Sequence, residues 1–160
     1  MSTSQPRAGT PMSPREVFAL KEQRVLRFDM AGQADLFAED GVMEFPFAPA
    51  GTPRRLEGRA AIREVLGGAV ERTRETGMRL LDHGQYTIHD TTDPEVIVVE
   101  FDAHGQAGPD GEIRTCPYIQ VLRVRDGEIV LFRDYWSMET ARPFWGLPTA
   151  EALSRAVTDA

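Results

Sequence analysis

The clearest alternation of apolar and polar positions follows Asp126-Gly127, a pair that is typical of a tight hairpin turn. Residues 128–136 after it are rich in β-branched and aromatic types, which predicts a strand. Because side chains alternate across a strand, Asp134 is expected on one face between Phe132 and Trp136. A carboxylate is costly to bury on an apolar face. We therefore expect it to have a hydrogen-bonding partner or a raised pKa.

The length of the hairpin loop decides which residue lies opposite Asp134. A two-residue loop pairs Asp134 with Ile119, whereas a three-residue loop pairs it with Tyr118. We favour the three-residue loop, because it places Arg123 and Arg133 together on the opposite face. This register predicts a polar patch on an apolar face, formed by Tyr118, Gln120, Asp134 and Trp136.

Helical patterns occupy the first half of the chain. Ser13-Pro14-Arg15-Glu16 has the composition of a capping box with proline at the first helical position, and predicts a helix to about Asp29. A short second helix is predicted over residues 33–38. Residues 59–74 carry apolar side chains at three- and four-residue spacing and predict the best helix, which ends near Gly77.

The rest of the pattern is typical of strands. The predicted strands are residues 42–47, 78–89, 96–104 and 113–124 and the strand after the Asp-Gly turn. Helices followed by a run of strands indicate an α+β fold. We expect a cone-like, curved antiparallel sheet wrapped around the N-terminal helices and enclosing a pocket.

One domain accounts for most of the chain. Residues 1–12 are rich in Ser, Thr, Pro and Gly and predict a disordered N-terminal lead. Residues 13–142 form the predicted domain. Residues 143–160 form a C-terminal tail, in which an aromatic, irregular segment to residue 148 precedes a short helix capped by Thr149.

Composition argues against several classes of partner. The net charge of −7 argues against binding to nucleic acid, and no apolar run is long enough to span a bilayer. The N-terminus lacks the apolar core of a signal peptide, and the lone Cys116 allows a reducing compartment, so a cytoplasmic protein is expected. No metal-ligand cluster and no glycine-rich phosphate motif is present. We therefore expect neither a metal nor a cofactor.

Two stretches of the chain carry a resemblance to a known family. The first consists of Asp35-Leu36-Phe37-Ala38-Glu39-Asp40-Gly41-Val42, the proline-rich turn after it and Leu56-Glu57-Gly58-Arg59-Ala60-Ala61-Ile62, and the second is Arg133-Asp134-Tyr135-Trp136. They resemble the first half and the last strand of the ketosteroid-isomerase-like, or SnoaL-like, domain family. The resemblance covers roughly residues 14–140 and implies the cone fold. The family includes isomerases, cyclases, hydrolases and plain binding domains, so it does not by itself imply one activity.

The resemblance to steroid isomerases leaves out their two acidic residues. Their base aspartate precedes a proline on the first strand, where this chain has Phe45 before Pro46. Their second acid corresponds to a position near Gln120. The chain therefore differs from steroid isomerases at both places.

Two other branches point to one carboxylate. Around the last strand the chain is similar to limonene epoxide hydrolases, whose catalytic aspartate corresponds to Asp134 and whose earlier Arg and Asp correspond to Glu100 and Asp102. It is also similar to the phenazine-biosynthesis A/B proteins, whose catalytic glutamate corresponds to Asp134 and whose histidine falls within about one residue of His83. These branches agree on Asp134.

We therefore expect a cofactor-independent enzyme that uses acid/base catalysis on a hydrophobic, natural-product-like intermediate, in a cyclisation, an epoxide opening or an isomerisation. Asp134 is the predicted proton carrier, and Tyr118, His83 and Asp102 complete the predicted catalytic set. The predicted substrate contacts are Met43, Phe45, Glu100, Gln120, Phe132 and Trp136. The alternative is a non-catalytic small-molecule-binding or dimerisation domain of the same fold.

A homodimer is also expected. On the outer face of the predicted sheet stand Val121, Leu131 and Tyr135. Apolar side chains gathered on one sheet face are typical of a surface that a partner covers. A second copy of the chain and a small hydrophobic substrate are therefore the expected partners.

Overall fold

The computed structural model describes residues 9–82 and 85–145 of the chain. Within this part the chain forms four helices and seven strands. The helices are α1 (Pro14–Leu26), α2 (Met30–Ala34), α3 (Arg59–Thr76) and α4 (Met138–Trp145). The strands are β1 (Phe37–Glu44), β2 (Arg55–Glu57), β3 (Met78–Leu81), β4 (Tyr86–Asp90), β5 (Val96–Ala107), β6 (Ile113–Arg125) and β7 (Glu128–Tyr135). His83, most of the predicted lead and the helix predicted after Thr149 lie outside the described residues.

The predicted capping box begins α1. Ser13 Oγ accepts a hydrogen bond from the Glu16 backbone N–H, and the Glu16 carboxylate accepts one from the Ser13 backbone N–H at 2.7 Å. The helix ends at Leu26, before the predicted Asp29, because Phe28 adopts a left-handed φ of 55°. Asp29 instead caps α2 by accepting from the Gly32 N–H at 2.8 Å. The second helix therefore begins three residues earlier and ends four residues earlier than predicted, and the last two residues of the predicted helix belong to β1.

The strands form one curved, unclosed sheet in the order β2-β1-β7-β6-β5-β3, with β4 also paired to β5. All strand pairs are antiparallel except β1 with β7, which is parallel. The single long strand predicted over residues 78–89 is two strands, β3 and β4, which pair with different parts of β5. The α+β cone predicted from the sequence is confirmed.

The hairpin between β6 and β7 overturns the favoured register. Asp126 and Gly127 have φ angles of 52° and 81°, so the loop is a two-residue turn with both central residues left-handed. Past the turn Val130 is an extra residue on β7, a β-bulge that shifts the pairing by one. Gln120 therefore pairs with Asp134, and the predicted pairing of Asp134 with Tyr118 is wrong.

The helices cover one face of the sheet, which we call the inner face. Alternation along β5, β6 and β7 directs Val99, Leu122 and Phe132 toward this face, where they are fully buried. The helix predicted over residues 59–74 is α3, which buries Ile62 and Leu66 and ends at Gly77 as predicted. The segment predicted to be irregular after residue 142 continues α4 to Trp145. No described helix is long and apolar enough to cross a membrane.

Two glycines give a matched test of the backbone. Gly127 needs its left-handed conformation, so Gly127→Ala should lower the free energy of unfolding by about 1 kcal/mol. Gly67 lies in the middle of α3, where an added methyl group would meet only open space, so Gly67→Ala should raise the same quantity by about 0.5–1 kcal/mol. Urea denaturation measures both. Equal effects of the two substitutions would contradict the assigned turn.

Candidate active site

A cavity of about 330 Å³ lies between the helices and the inner face of the sheet. Its wall is mainly apolar and includes Met43, Phe45, Leu66, Phe101, Phe132 and Trp136. The few side chains that bring ionisable or amide groups to it are Lys21, Glu22, Gln33, Tyr118, Gln120 and Asp134. An apolar cavity with a few convergent polar groups is the usual form of a small-molecule site.

Asp134 projects from β7 into this cavity. Its Oδ1 accepts a hydrogen bond from Gln120 Nε2 at 2.9 Å. Its Oδ2 has no hydrogen-bonding partner among residues 9–82 and 85–145. Burial raises the pKa of Asp134 to about 6, although the nearby Lys21 charge and the Gln120 hydrogen bond lower it. Both protonation states are thus accessible near neutral pH, as proton transfer requires.

Lys21 fixes the orientation of Gln120. The Lys21 side chain is 2% exposed, and Nζ donates to Gln120 Oε1 at 2.6 Å and forms an ion pair with Glu22. An ammonium group can only donate, so Gln120 must turn its oxygen to Lys21 and its NH₂ to Asp134. The rings of Phe18 and Phe132 also lie 5.0 and 5.1 Å from Nζ. Held by these contacts, Lys21 is a charged positioning group.

The partner of Lys21 is anchored on a further strand. The Glu22 carboxylate accepts a hydrogen bond from the Tyr86 hydroxyl on β4 at 3.0 Å. Burial and the charge of Glu22 raise the pKa of Tyr86, which keeps its hydroxyl protonated as a donor. A continuous series of polar contacts therefore runs from Tyr86 on β4 to the Asp134 carboxylate on β7. It passes through Glu22 and Lys21 on α1 and Gln120 on β6.

Tyr118 brings a second proton donor to the cavity. Its hydroxyl oxygen accepts a hydrogen bond from Trp145 Nε1 at 2.6 Å, and its ring stacks on Phe101 with the centroids 5.4 Å apart. Burial raises the pKa of Tyr118 well above its ordinary value, so the hydroxyl keeps its proton. Because Trp145 supplies a hydrogen to that oxygen, the Tyr118 hydrogen points away from Trp145, and the neighbouring Cys116 sulfur is a group that can accept it.

Residues 19–132 match the sequence profile of the SnoaL-like domain. The chain belongs to the SnoaL-like domain family. This confirms the resemblance on which the cone fold was predicted. The matched residues run from α1 into β7 and end two residues before Asp134.

Three known proteins are similar to this chain in sequence or in fold. An uncharacterised PhzA/B-like protein of Pseudomonas aeruginosa is 34% identical over 149 residues, which are 93% of this chain and 100% of that protein. The structure of a proposed isomerase from Bacillus subtilis matches with a TM-score of 0.71 at 30% identity, over 84% of this chain and 93% of that one. A proposed polyketide cyclase from Pseudomonas putida shares the fold, with a TM-score of 0.60 at 19% identity over 83% of this chain and 98% of that chain.

Most predicted site residues of this SnoaL-like protein meet in the cavity. Those that line it are Met43, Phe45, Tyr118, Gln120, Phe132, Asp134 and Trp136. Glu100 and Asp102 do not, because their neighbours Val99, Phe101 and Ala103 occupy the inner face of β5. Both carboxylates are exposed on the opposite, outer face, where Glu100 pairs with His89 at 2.7 Å. The prediction for His83 falls outside the described residues.

Sequence reasoning missed the α1 residues of the site. The buried stripe of α1 consists of Val17, Phe18, Lys21 and Glu22. One signal that could have found the site residues was the pair of opposite charges, Lys21 and Glu22, in the otherwise apolar stripe of this helix. A second signal was composition, because Lys21 is the only lysine in the chain and every other basic side chain of that length is arginine. Gln33, on α2, was also missed.

The role given to Lys21 can be tested on the Asp134 carboxyl itself. Lys21→Met should raise the pKa of Asp134 above about 6, because the cation that stabilises the carboxylate is removed. Carbon-13 NMR of the aspartate carboxyl groups follows this titration directly. Lys21→Arg, which keeps the charge, should leave the pKa of Asp134 closer to its original value.

Because Lys21→Met also removes the ion-pair partner of Glu22, the double change Lys21→Met with Glu22→Gln serves as the control for folding. An Asp134 titration that does not move in either variant would contradict the electrostatic link between α1 and β7.

Proposed function

We propose that this SnoaL-like protein is a cofactor-independent acid/base enzyme that isomerises or cyclises a hydrophobic, oxygenated small molecule. The observation that carries the proposal is the carboxyl group of Asp134, whose pKa is about 6 inside an apolar cavity. One Asp134 oxygen is engaged by Gln120, which leaves Oδ2 for the substrate. Enzymes commonly set the pKa of a catalytic carboxyl near neutrality by such burial.

The proposed chemistry begins with a proton on a carbon next to a carbonyl group. Asp134 Oδ2 takes this proton, and the electron pair of the C–H bond forms an enolate. The Tyr118 hydroxyl donates a hydrogen bond to the enolate oxygen, where the negative charge gathers. No atom changes oxidation state in this step, so the proton moves without a redox partner.

The same carboxyl then completes either reaction. In an isomerisation, protonated Asp134 returns the proton to a different carbon of the enolate. In a cyclisation, the enolate carbon attacks a second carbonyl group of the same molecule, and Asp134 protonates the alkoxide that forms. The names of two similar solved structures, a proposed isomerase and a proposed polyketide cyclase, support these two outcomes.

A non-catalytic binding domain is the second candidate. By the resemblance to steroid isomerases, their two acidic residues correspond to Phe45 and to a position near Gln120, and both of these residues line the cavity here. Such a domain would hold the same ligands in the same cavity without moving a proton. The two candidate functions can be distinguished by proton exchange. An acid/base enzyme accelerates the exchange of a ligand C–H proton with solvent, whereas a binding domain does not.

The exchange test uses 2-tetralone, a fused-ring ketone, in D₂O. The protein should accelerate deuterium uptake next to the carbonyl, and Asp134→Asn should lower that rate by about 100-fold or more. The rate should rise as pH increases through about 6, because the ionised form of Asp134 is the base. Proton NMR of 2-tetralone measures the rate.

The matched control is Asp110→Asn, an exposed aspartate in the loop between β5 and β6 that should leave exchange unchanged. Binding of 2-tetralone without acceleration would favour the non-catalytic candidate. Equal exchange rates for the protein and Asp134→Asn would remove Asp134 from the mechanism.

We also propose that the protein forms a homodimer through the outer face of the sheet. Phe47 and Ile119 are 66% and 44% exposed there, beside the partly exposed Val121, Leu131 and Tyr135. Sedimentation velocity should show a dimer at high concentration, and Ile119→Arg should shift it toward monomer by placing a charge in the interface. A monomer at every concentration would contradict the proposal.

A further inference from the structure

Gln33 is a buried amide in the cavity wall that the proposed proton transfer does not use. The residue is 5% exposed and lines the cavity from α2. Its backbone N–H and carbonyl are both paired, with Asp29 and Leu36 respectively. Its side-chain amide makes no hydrogen bond with any residue in the described part of the chain.

This distinguishes Gln33 from the other buried polar side chains. Lys21, Glu22, Thr73 and Gln120, which are buried to a similar extent, all have hydrogen-bonding or ion-pair partners. Leaving a buried amide without a partner costs roughly 1–3 kcal/mol, and Met or Leu at the same place would avoid that cost.

The amide still has access to open space. Among the described residues no fully enclosed side-chain nitrogen or oxygen lacks a hydrogen-bonding partner. The unpaired amide of Gln33 is therefore not fully enclosed, and the open space that this nearly buried residue borders is the cavity. A polar group kept available in this way is suited to a ligand.

We propose that Gln33 is a substrate-recognition residue whose amide binds a second oxygen function of the substrate, away from the carbon that Asp134 deprotonates. An amide both donates and accepts, so it suits a hydroxyl or a carbonyl group. Gln33 approaches from the helices, whereas Asp134 and Tyr118 approach from the sheet. The substrate class is then a hydrophobic small molecule with two separated oxygen functions. This inference rests on the proposed function, which identifies the end of the substrate that reacts at Asp134.

Two ligands that differ by one hydroxyl group isolate the contribution of Gln33. The probes are 2-naphthol and 2,6-dihydroxynaphthalene, whose intrinsic fluorescence reports binding. The protein should bind the diol about five- to tenfold more tightly, the effect of one added neutral hydrogen bond. Gln33→Met should abolish this preference and leave the affinity for 2-naphthol unchanged.

The controls separate this inference from the proposed catalysis. Gln23→Met, at an exposed glutamine of α1, should keep the full preference for the diol. Asp134→Asn should change the affinity for both ligands by a similar factor and so preserve the preference. The role of Gln33 therefore survives even where the 2-tetralone exchange test fails.

Thermal unfolding supplies the second readout. Gln33→Met should keep or raise Tm, because no hydrogen bond within the described residues is lost. A lower Tm would show that Gln33 supports the fold and would overturn the proposal. So would a diol that binds no better than 2-naphthol, or a Gln33→Met variant that keeps the preference or weakens both ligands equally.

Discussion

The site depends on keeping one carboxyl group, Asp134, inside an apolar cavity. An isolated charge there would be prohibitively costly, and the carboxyl would remain protonated far above neutral pH. The amide of Gln120 and the ammonium of Lys21 reduce that cost, while burial keeps the pKa of Asp134 near 6. Neither influence alone gives a group that both accepts and releases a proton near neutral pH. The balance between them is the central feature of the molecule.

That balance is set by backbone geometry in the last hairpin. The left-handed Asp126-Gly127 turn begins the pairing of β6 with β7, and the bulge at Val130 shifts it by one residue. The shift brings Gln120 opposite Asp134. Since α1 lies across the inner face, Lys21 then meets the far end of the same amide. Three separate segments of the chain thus converge on one carboxyl group.

Local patterns predicted much of the architecture. The cap of α1, the extent of α3 and its end at Gly77 were predictable because they depend on neighbours in sequence. The register of the hairpin was not, because a single bulged residue leaves the alternation of apolar positions nearly unchanged.

The residues of the candidate site divide in the same way, into those that local sequence predicts and those that depend on long-range packing. Asp134 was predictable as a carboxylate between two aromatic residues of one strand, a feature of local sequence. Glu100 and Asp102 alternate along β5 with the residues of the inner face. The period of two separates the two sets of residues but does not say which set faces the helices. Lys21 and Gln33 depend on how helices lie over the sheet, which is a long-range property.

The raised pKa of Asp134 also governs how the fold responds to acid. In an unfolded chain an aspartate has a pKa of about 3.9, so the native state holds its proton more tightly than the unfolded state does. The resulting stabilisation is fully present below pH ~4 and is lost as pH rises through about 6, to an extent on the order of 3 kcal/mol. In mild acid Asp134 therefore stabilises the folded state, whereas an ordinary ion-paired carboxylate loses its stabilising contribution as it becomes protonated. At neutral pH the native state is instead destabilised by the same negative charge that makes Asp134 a base.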